Sequence, residues 1–468
     1  MNAYHSLCLE IAVLIPICGA LWIRRLGDTE SAQRWSIVVA AGTLAAVVLG
    51  WIGFILDSSG NTNAPWSLLG AVAGRHYLSF DSLNVPLLLL VALIYLATIV
   101  TTPRTKARRF SFTWTLVAES IALATFACHD PWLLIVLLTA AVYPPYRELK
   151  ARNQSTRVYA IHMIGFVVLL IAGQAMLEAP IALLDGSSWK ALPLLLAILV
   201  RSGVAPFHVW VPDLFQRAAF GTALIHVLPM AGVYAAIRLL LPSATEGALQ
   251  TVVALSLLTA VYAAGMALVQ TDVRRFFSYQ FLSQSSLVLV GIGINDLLGV
   301  AGGLAVWLSV GLALASFGLT LRSVEARCGR LPLDKYHGLY EKLPTLAVFF
   351  LLTGLASIGF PGTFGFIGVE MLIGAAVLDS PYIGLAIVCA AAINGVSLMR
   401  AYLSLFTGTR HTGTVAIRIL PAERFAVLAL AALIIGGGLF PQPAIESRYD
   451  AAEEMRAGRI EYESQTAP

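Results

Sequence analysis

The sequence predicts an all-α polytopic membrane protein of about fourteen transmembrane helices, and three observations carry that prediction. The 468 residues are 58% hydrophobic and only 12% charged, with a mean hydropathy of +0.81. Soluble domains carry about 25% charge, and a soluble fold of this length would need more polar surface to cover it. Apolar runs recur close to the ~20 residues that a helix needs to cross the hydrocarbon core. Alternation at period two is absent and the runs far exceed a barrel strand, which leaves helices. The same composition excludes a disordered chain, and five scattered cysteines exclude a disulfide scaffold.

In chain order the candidate spans are 7–23, 35–56, 82–102, 110–128, 131–146, 157–178, 189–209, 218–241, 248–269, 274–294, 298–321, 344–378, 382–406 and 423–440. The first lacks a basic leader and a small-residue cleavage site, contains Glu10 and Pro16, and runs into Arg24-Arg25, so it is expected to be a retained helix rather than a signal peptide. The fifth is short. The twelfth is long and interrupted. Only two connections are long, 57–81 and 322–343, and the segment after Phe440 reads as a short polar tail.

Lys and Arg set the orientation. Loops after odd-numbered spans hold 22 of the 30 basic residues, whereas loops after even-numbered spans hold two, Arg75 and Lys190. That asymmetry predicts both termini on the non-cytoplasmic side, in a membrane of the bacterial inner type. No run of basic residues with interleaved aromatics suggests nucleic acid binding.

Two interruptions fall inside spans. The seventh carries Pro206 at the centre of Leu199 to Asp213, and the twelfth carries Pro361-Gly362 within Ile358 to Phe366. Each removes a backbone hydrogen bond and frees carbonyls that need partners. Each is the fourth helix of a five-helix set, and five is odd, so the sets enter the membrane from opposite sides. The expected division is 1–109 (three helices), 110–241 (first repeat), 248–406 (inverted second repeat) and 423–468 (last helix and tail). Interrupted helices at matching places in two repeats point to a transport site; the competing reading is a pair of packing kinks.

The stretches around these breaks resemble a known family. Ala205-Pro-Phe-His-Val-Trp-Val-Pro-Asp213, Ala223-Leu-Ile-His-Val-Leu-Pro-Met-Ala-Gly-Val-Tyr234, Val269 to Tyr279 with Ser283-Gln284, Leu355 to Gly368 and Leu398-Met-Arg-Ala-Tyr-Leu403 are similar to the antiporter-like membrane subunits of respiratory complex I and the Mrp antiporters. Phe80-Asp81-Ser-Leu83 is a weaker match. The short tail resembles the medium, M-type subunit rather than the type with a long lateral helix.

The resemblance implies a mid-membrane polar axis built on a glutamate in helix five, a lysine in helix seven, a lysine or histidine in helix eight and a lysine or glutamate in helix twelve. Here the helix-five position falls near Ala140, which binds no proton. Glu119, one helix earlier, is the candidate substitute, with a packing carboxylate as the alternative. The helix-seven position is Arg201, which stays protonated and cannot itself relay a proton. His226 matches the helix-eight histidine, and an imidazole suits relay. His208, just after Pro206, is either a relay or a helix-end packing group. Glu370 follows the helix-twelve break, displaced by one residue from the family pattern, and one residue turns a helical side chain by about 100°. Arg400 is the family-like basic residue of helix thirteen. His162 and Glu10 read as packing. Helix eleven carries no titratable group in its apolar run, 298–321.

Cys8, Cys18, Cys128, Cys328 and Cys389 have no metal or iron–sulfur spacing, and no Walker loop or dinucleotide fingerprint occurs. No cofactor or metal is therefore expected, nor redox chemistry in this chain. The leading expectation is a proton- or sodium-translocating subunit of an NADH:quinone oxidoreductase-type complex, with respiratory subunits and the lipid bilayer as partners. Two alternatives stand beside it. One is the membrane half of a two-component inorganic carbon uptake system, paired with a soluble zinc protein resembling carbonic anhydrase. The other is a non-conducting scaffold.

Overall fold

A computed structural model of the chain describes residues 4–56, 77–103, 107, 110–179, 190–294, 296–408 and 419–466. Among these residues the chain is helical, with two isolated bridges, Leu78 to Cys128 and Asp272 to Pro332, in place of any strand. Among the described residues nine helical stretches are long and apolar enough to cross a membrane, and three shorter apolar helices accompany them. The chain is a multi-pass membrane protein.

The helices are α1 (Tyr4–Ile23), α2 (Thr29–Leu56), α3 (Asn84–Val100), α4 (Phe112–Ala127), α5 (Pro131–Ala151), α6 (Arg157–Glu178), α7 (Leu192–Ser202), α8 (Trp210–Arg217), α9 (Phe220–Val227) and α10 (Ala231–Ala235). They continue as α11 (Glu246–Val269), α12 (Val273–Gly293), α13 (Leu297–Cys328), α14 (Pro344–Ser357), α15 (Phe364–Asp379), α16 (Pro381–Phe406), α17 (Pro421–Leu439) and α18 (Gln442–Thr466). Helix starts follow local chemistry. Asp130 accepts from the Leu133 amide at 2.8 Å with Pro131 as the first helical residue, and Asp272 accepts from the amides of Arg274 and Arg275.

The seventh candidate span, expected over 189–209, extends to Arg217 as two helices, α7 and α8, joined through Gly203 to Val209, with Gly203 in the left-handed region (φ 71°) closing α7. The twelfth is α14 and α15, separated at residues 358–363 where Gly359 and Gly362 also have positive φ. A third break falls where only two were expected. Span eight parts between α9 and α10 at Leu228-Pro229-Met230, with Met230 at φ 54°, and then passes into a π-helical turn over Ala236–Leu240. The α9–α10 break packs directly on the α7–α8 break. A Cβ at Gly232 would stand 2.9 Å from the Ser202 backbone nitrogen, so only glycine allows this approach.

α13 is the central strut. Its 32 residues are buried along most of their length and pack on α3, α9, α12, α14, α15, α17 and α18. Trp307 on this helix donates to the freed Pro229 carbonyl at 3.3 Å. At the Lys/Arg-rich face, Arg274 pairs bidentately with Glu325 at 2.7 Å and donates to the carbonyls of Phe215 and Ala218, satisfying the end of α8. The tail is itself helical. Polar α18 crosses the opposite face, where Arg448 donates to the Ser82 and Leu83 carbonyls, Ser82 donates to Glu454 and Arg459 donates to Ala244.

Candidate functional site

A cavity of about 1140 Å³ opens between α4, α5, α8 and α9. Its mouth is formed by the helix ends at the Lys/Arg-rich face, and its inner end is formed by Arg201, His226, Thr125 and Phe126. The wall follows α4 from Ser111 to Phe126, a rise of about 22 Å against a hydrocarbon thickness of about 30 Å. The Pro144-Pro145 pair inside α5 and the small side chains Ala118, Ala122 and Ala141 line this gap. Ala140 is half-buried beside it.

Arg201 lies in the last turn of α7, 4% exposed. Its guanidinium reaches the His226 carbonyl at 3.5 Å and lies over the Trp210 ring at 5.5 Å. Nε has no hydrogen-bond partner in the protein, and among the described residues no carboxylate pairs with this cation. His226 sits in the last turn of α9. Its Nε2 is 3.1 Å from the Tyr159 hydroxyl, which donates to the Val142 carbonyl at 3.1 Å. The imidazole therefore supplies the proton of the first contact, in the tautomer with hydrogen on Nε2.

Glu119 on α4 is fully buried, and neither carboxylate oxygen has a hydrogen-bond partner in the protein. It stands one residue off the cavity wall, where Ala118 and Ala122 face the space. Tyr95, itself buried, also lines the cavity.

Beyond the inner end an aromatic plug closes the path. Tyr234 on α10 packs on Phe126 with ring centroids 4.9 Å apart, and Trp307 stands 6.2 Å from Phe126. The Tyr234 hydroxyl donates to the Phe126 carbonyl at 2.9 Å and accepts from Arg238 Nε at 3.0 Å. Arg238, on the π-helical turn, also donates to Asp81, which accepts from His129 Nε2 at 2.8 Å. Burial raises the Asp81 carboxyl, but the His129 hydrogen bond and the Arg238 charge outweigh it and hold the group well below the usual carboxylate range. His129 is 34% exposed at the face opposite the cavity mouth.

The other expected residues lie apart from this group. His208 is half-buried at the α7–α8 break, its ring 5.2 Å from Tyr262, and Pro206 beside it is exposed. His162 donates from Nδ1 to the Val158 carbonyl at 2.8 Å. Glu370 points outward on α15, and Val369, one residue earlier, is the side chain packed on the core. The one-residue displacement thus turns the carboxylate away from the interior. Arg400 on α16 donates to the Leu268 and Gln270 carbonyls, where a cation suits the end of α11.

Beyond this group α12 carries Ser278, Gln280, Ser283, Gln284, Ser285 and Ser286, all buried. Asn394 on α16 donates to Ser283 at 2.7 Å, and oxygens of Gln280 and Asn394 have no partner in the protein. This line holds amides and hydroxyls without charge. Tyr95, Tyr159, Tyr234 and Arg238 were missed from the sequence. The three tyrosines look like ordinary span residues there, whereas Arg238 is a cation inside span eight whose charge was the available signal. No group of three or more potential metal ligands occurs among the described residues.

A cavity that ends at buried ionisable side chains beside the breaks in spans seven and eight fits an antiporter-like membrane protein. The family model described as "NADH:quinone oxidoreductase/Mrp antiporter, TM" matches residues 159–394, and the chain belongs to that family. It is 26% identical to the NAD(P)H-quinone oxidoreductase chain 4 of Synechococcus sp. (strain WH7803), covering 96% of this chain and 89% of the relative. It is 24% identical to the NADH-quinone oxidoreductase subunit M of Rickettsia typhi, covering 96% and 98%. Its fold matches a chain of respiratory complex I from Thermus thermophilus with a TM-score of 0.80 at 23% identity, over 96% of this chain and 99% of that one. A chain of the Mrp complex from Dietzia sp. matches with a TM-score of 0.82 at 17% identity, over 99% of each. These relatives favour the complex I and Mrp type over the carbon-uptake alternative.

Proposed function

We propose that the chain is a proton-translocating membrane subunit, driven by the redox or ion-coupled chemistry of a larger assembly. The observation that carries this is a pair of polar groups on either side of the aromatic plug: the cavity with Arg201, His226 and Tyr159 on one side, and Arg238, Asp81 and His129, joined to the Tyr234 hydroxyl, on the other. His226 and Glu119 are the groups that take and give protons. Arg201 is a fixed charge that biases them, since a guanidinium does not titrate in this setting. The aromatic plug at Tyr234 and Phe126 is the gate.

The fourteen crossings, the inverted repeats over 110–241 and 248–406, and a cytoplasmic cavity mouth belong to the same proposal. The grouping of Arg147, Arg152, Arg217 and Arg330 at that mouth supports this orientation. The second unit has the outward Glu370 and only neutral side chains on its axis, so it carries protons solely where water fills it or where a neighbouring subunit covers Glu370.

The test is a gentle-detergent purification of the tagged chain from its native membrane, with mass spectrometry of what accompanies it. Co-purifying quinone-oxidoreductase and further antiporter-like subunits are expected. A single soluble zinc protein, or the chain alone, would overturn the assignment to a respiratory assembly.

A further inference from the structure

The cavity has a charge that proton passage alone does not explain. Its wall holds Arg147, Arg152, Arg201, Arg217 and Arg330 against one carboxylate, Glu148. Two of the mouth arginines are neutralised: Arg152 pairs with Glu148 at 2.8 Å and Arg217 with Asp213 at 2.6 Å. Arg147 instead stacks on Trp114 at 4.3 Å, and Arg330 donates to the Gln216 carbonyl at 2.7 Å. Arg201 at the inner end has only the His226 carbonyl at 3.5 Å and the Trp210 face, with Nε unpartnered.

A guanidinium 4% exposed at membrane depth is costly unless its charge is met. The end of α9 offers a partial negative charge, which is less than a full counter-charge. Glu119 lies off the wall, and neither of its oxygens has a hydrogen-bond partner in the protein. Positively lined clefts with low-dielectric walls concentrate anions and exclude cations. The space of about 1140 Å³ is large enough for a hydrated inorganic ion.

From this geometry we propose that the cavity is an anion vestibule, in which a small monovalent inorganic anion of halide size enters between Arg147 and Arg330 and binds against the Arg201 guanidinium. The anion serves as the exchangeable counter-charge of Arg201. The bound anion sits beside His226, so a proton arriving there meets a neutralised site rather than a bare cation. The inference stands on the cavity and its arginines and not on proton transport.

The test is equilibrium binding of radiolabelled chloride to the full chain, purified in the assembly it forms, in a background of gluconate. Saturable binding is expected, competed by bromide and nitrate and retained in Arg201→Lys. Arg201→Gln should weaken it about tenfold or more, the loss of one charge-assisted contact. Arg147→Gln, far from the buried end, should weaken it a few-fold through the field alone and serves where Arg201→Gln fails to assemble. Absence of saturable binding would overturn the proposal. So would binding equal in wild type and Arg201→Gln. Chloride displaced by anionic phospholipid, with Arg201→Gln unaffected, would likewise overturn it and assign the arginines to a lipid headgroup at the mouth. Proton flux is read separately, so chloride binding that persists in a flux-dead His226→Ala variant separates failure of the proton route from failure of this site.

Discussion

The Tyr159 hydroxyl stands 3.1 Å from Nε2 of His226, and it joins the start of α6 to the break in span eight. The same hydroxyl donates to Val142 on α5, so one oxygen fixes the imidazole against two helices. Trp210 closes the other side, its ring centroid 6.2 Å from that of His226.

Tyr159→Phe keeps the ring packing and removes the hydroxyl. His226 Nε2 then loses its partner within the protein, and the proton of the imidazole is no longer held in one place. Coupled proton flux in vesicles should fall about tenfold, the scale of one hydrogen bond in a buried setting, with expression and assembly unchanged. Flux equal to wild type would make Tyr159 a packing residue.

Glu119→Gln tests the carboxylate on α4. Both oxygens lack protein partners, so the amide breaks no ion pair or hydrogen bond and the fold should hold. If Glu119 exchanges protons with the cavity, flux should fall by about an order of magnitude, whereas Glu119→Asp should keep part of it. Unimpaired flux in Glu119→Gln would identify a packing carboxylate.

The Asp81 cluster predicts a pH dependence of stability outside the membrane core. The folded pKa lies below the ordinary value near 4, so the stabilisation is full at neutral pH and is lost only as pH falls below about 4 toward the folded value. Asp81→Asn should lower the melting temperature by roughly 2–4 °C at pH 7. The gap between variant and wild type should narrow only under strongly acid conditions. A gap that closes between pH 7 and 5 would show that Asp81 is not held by Arg238 and His129.

Much of the architecture was legible because membrane solvent acts on composition and length, and these can be read residue by residue. Pro206 and Pro361-Gly362 announced their breaks, since proline cannot donate and glycine admits positive φ. The break at Met230 was not announced: Pro229 stood in a quoted motif, but the close approach that sets the bend depends on Gly232 meeting Ser202 from another span. Arg201 and His226 were visible as ionisable residues in apolar runs, and the fold brings them together. Glu370 was visible for the same reason, yet helical phase turned it outward, which only the packing of Val369 decides. Tyr234 was illegible because its role comes from its neighbours, and Arg238, although visible as a cation in span eight, has a partner that only the fold supplies, Asp81, 157 residues away along the chain.

The most direct measurement is proton flux by a pH-sensitive dye in sealed vesicles containing the assembled complex, comparing wild type with His226→Ala. The account predicts that the variant inserts and assembles normally while coupled flux is lost. Flux at the wild-type level, in a variant shown to be assembled, would remove His226 from the path and contradict the route drawn through the cavity.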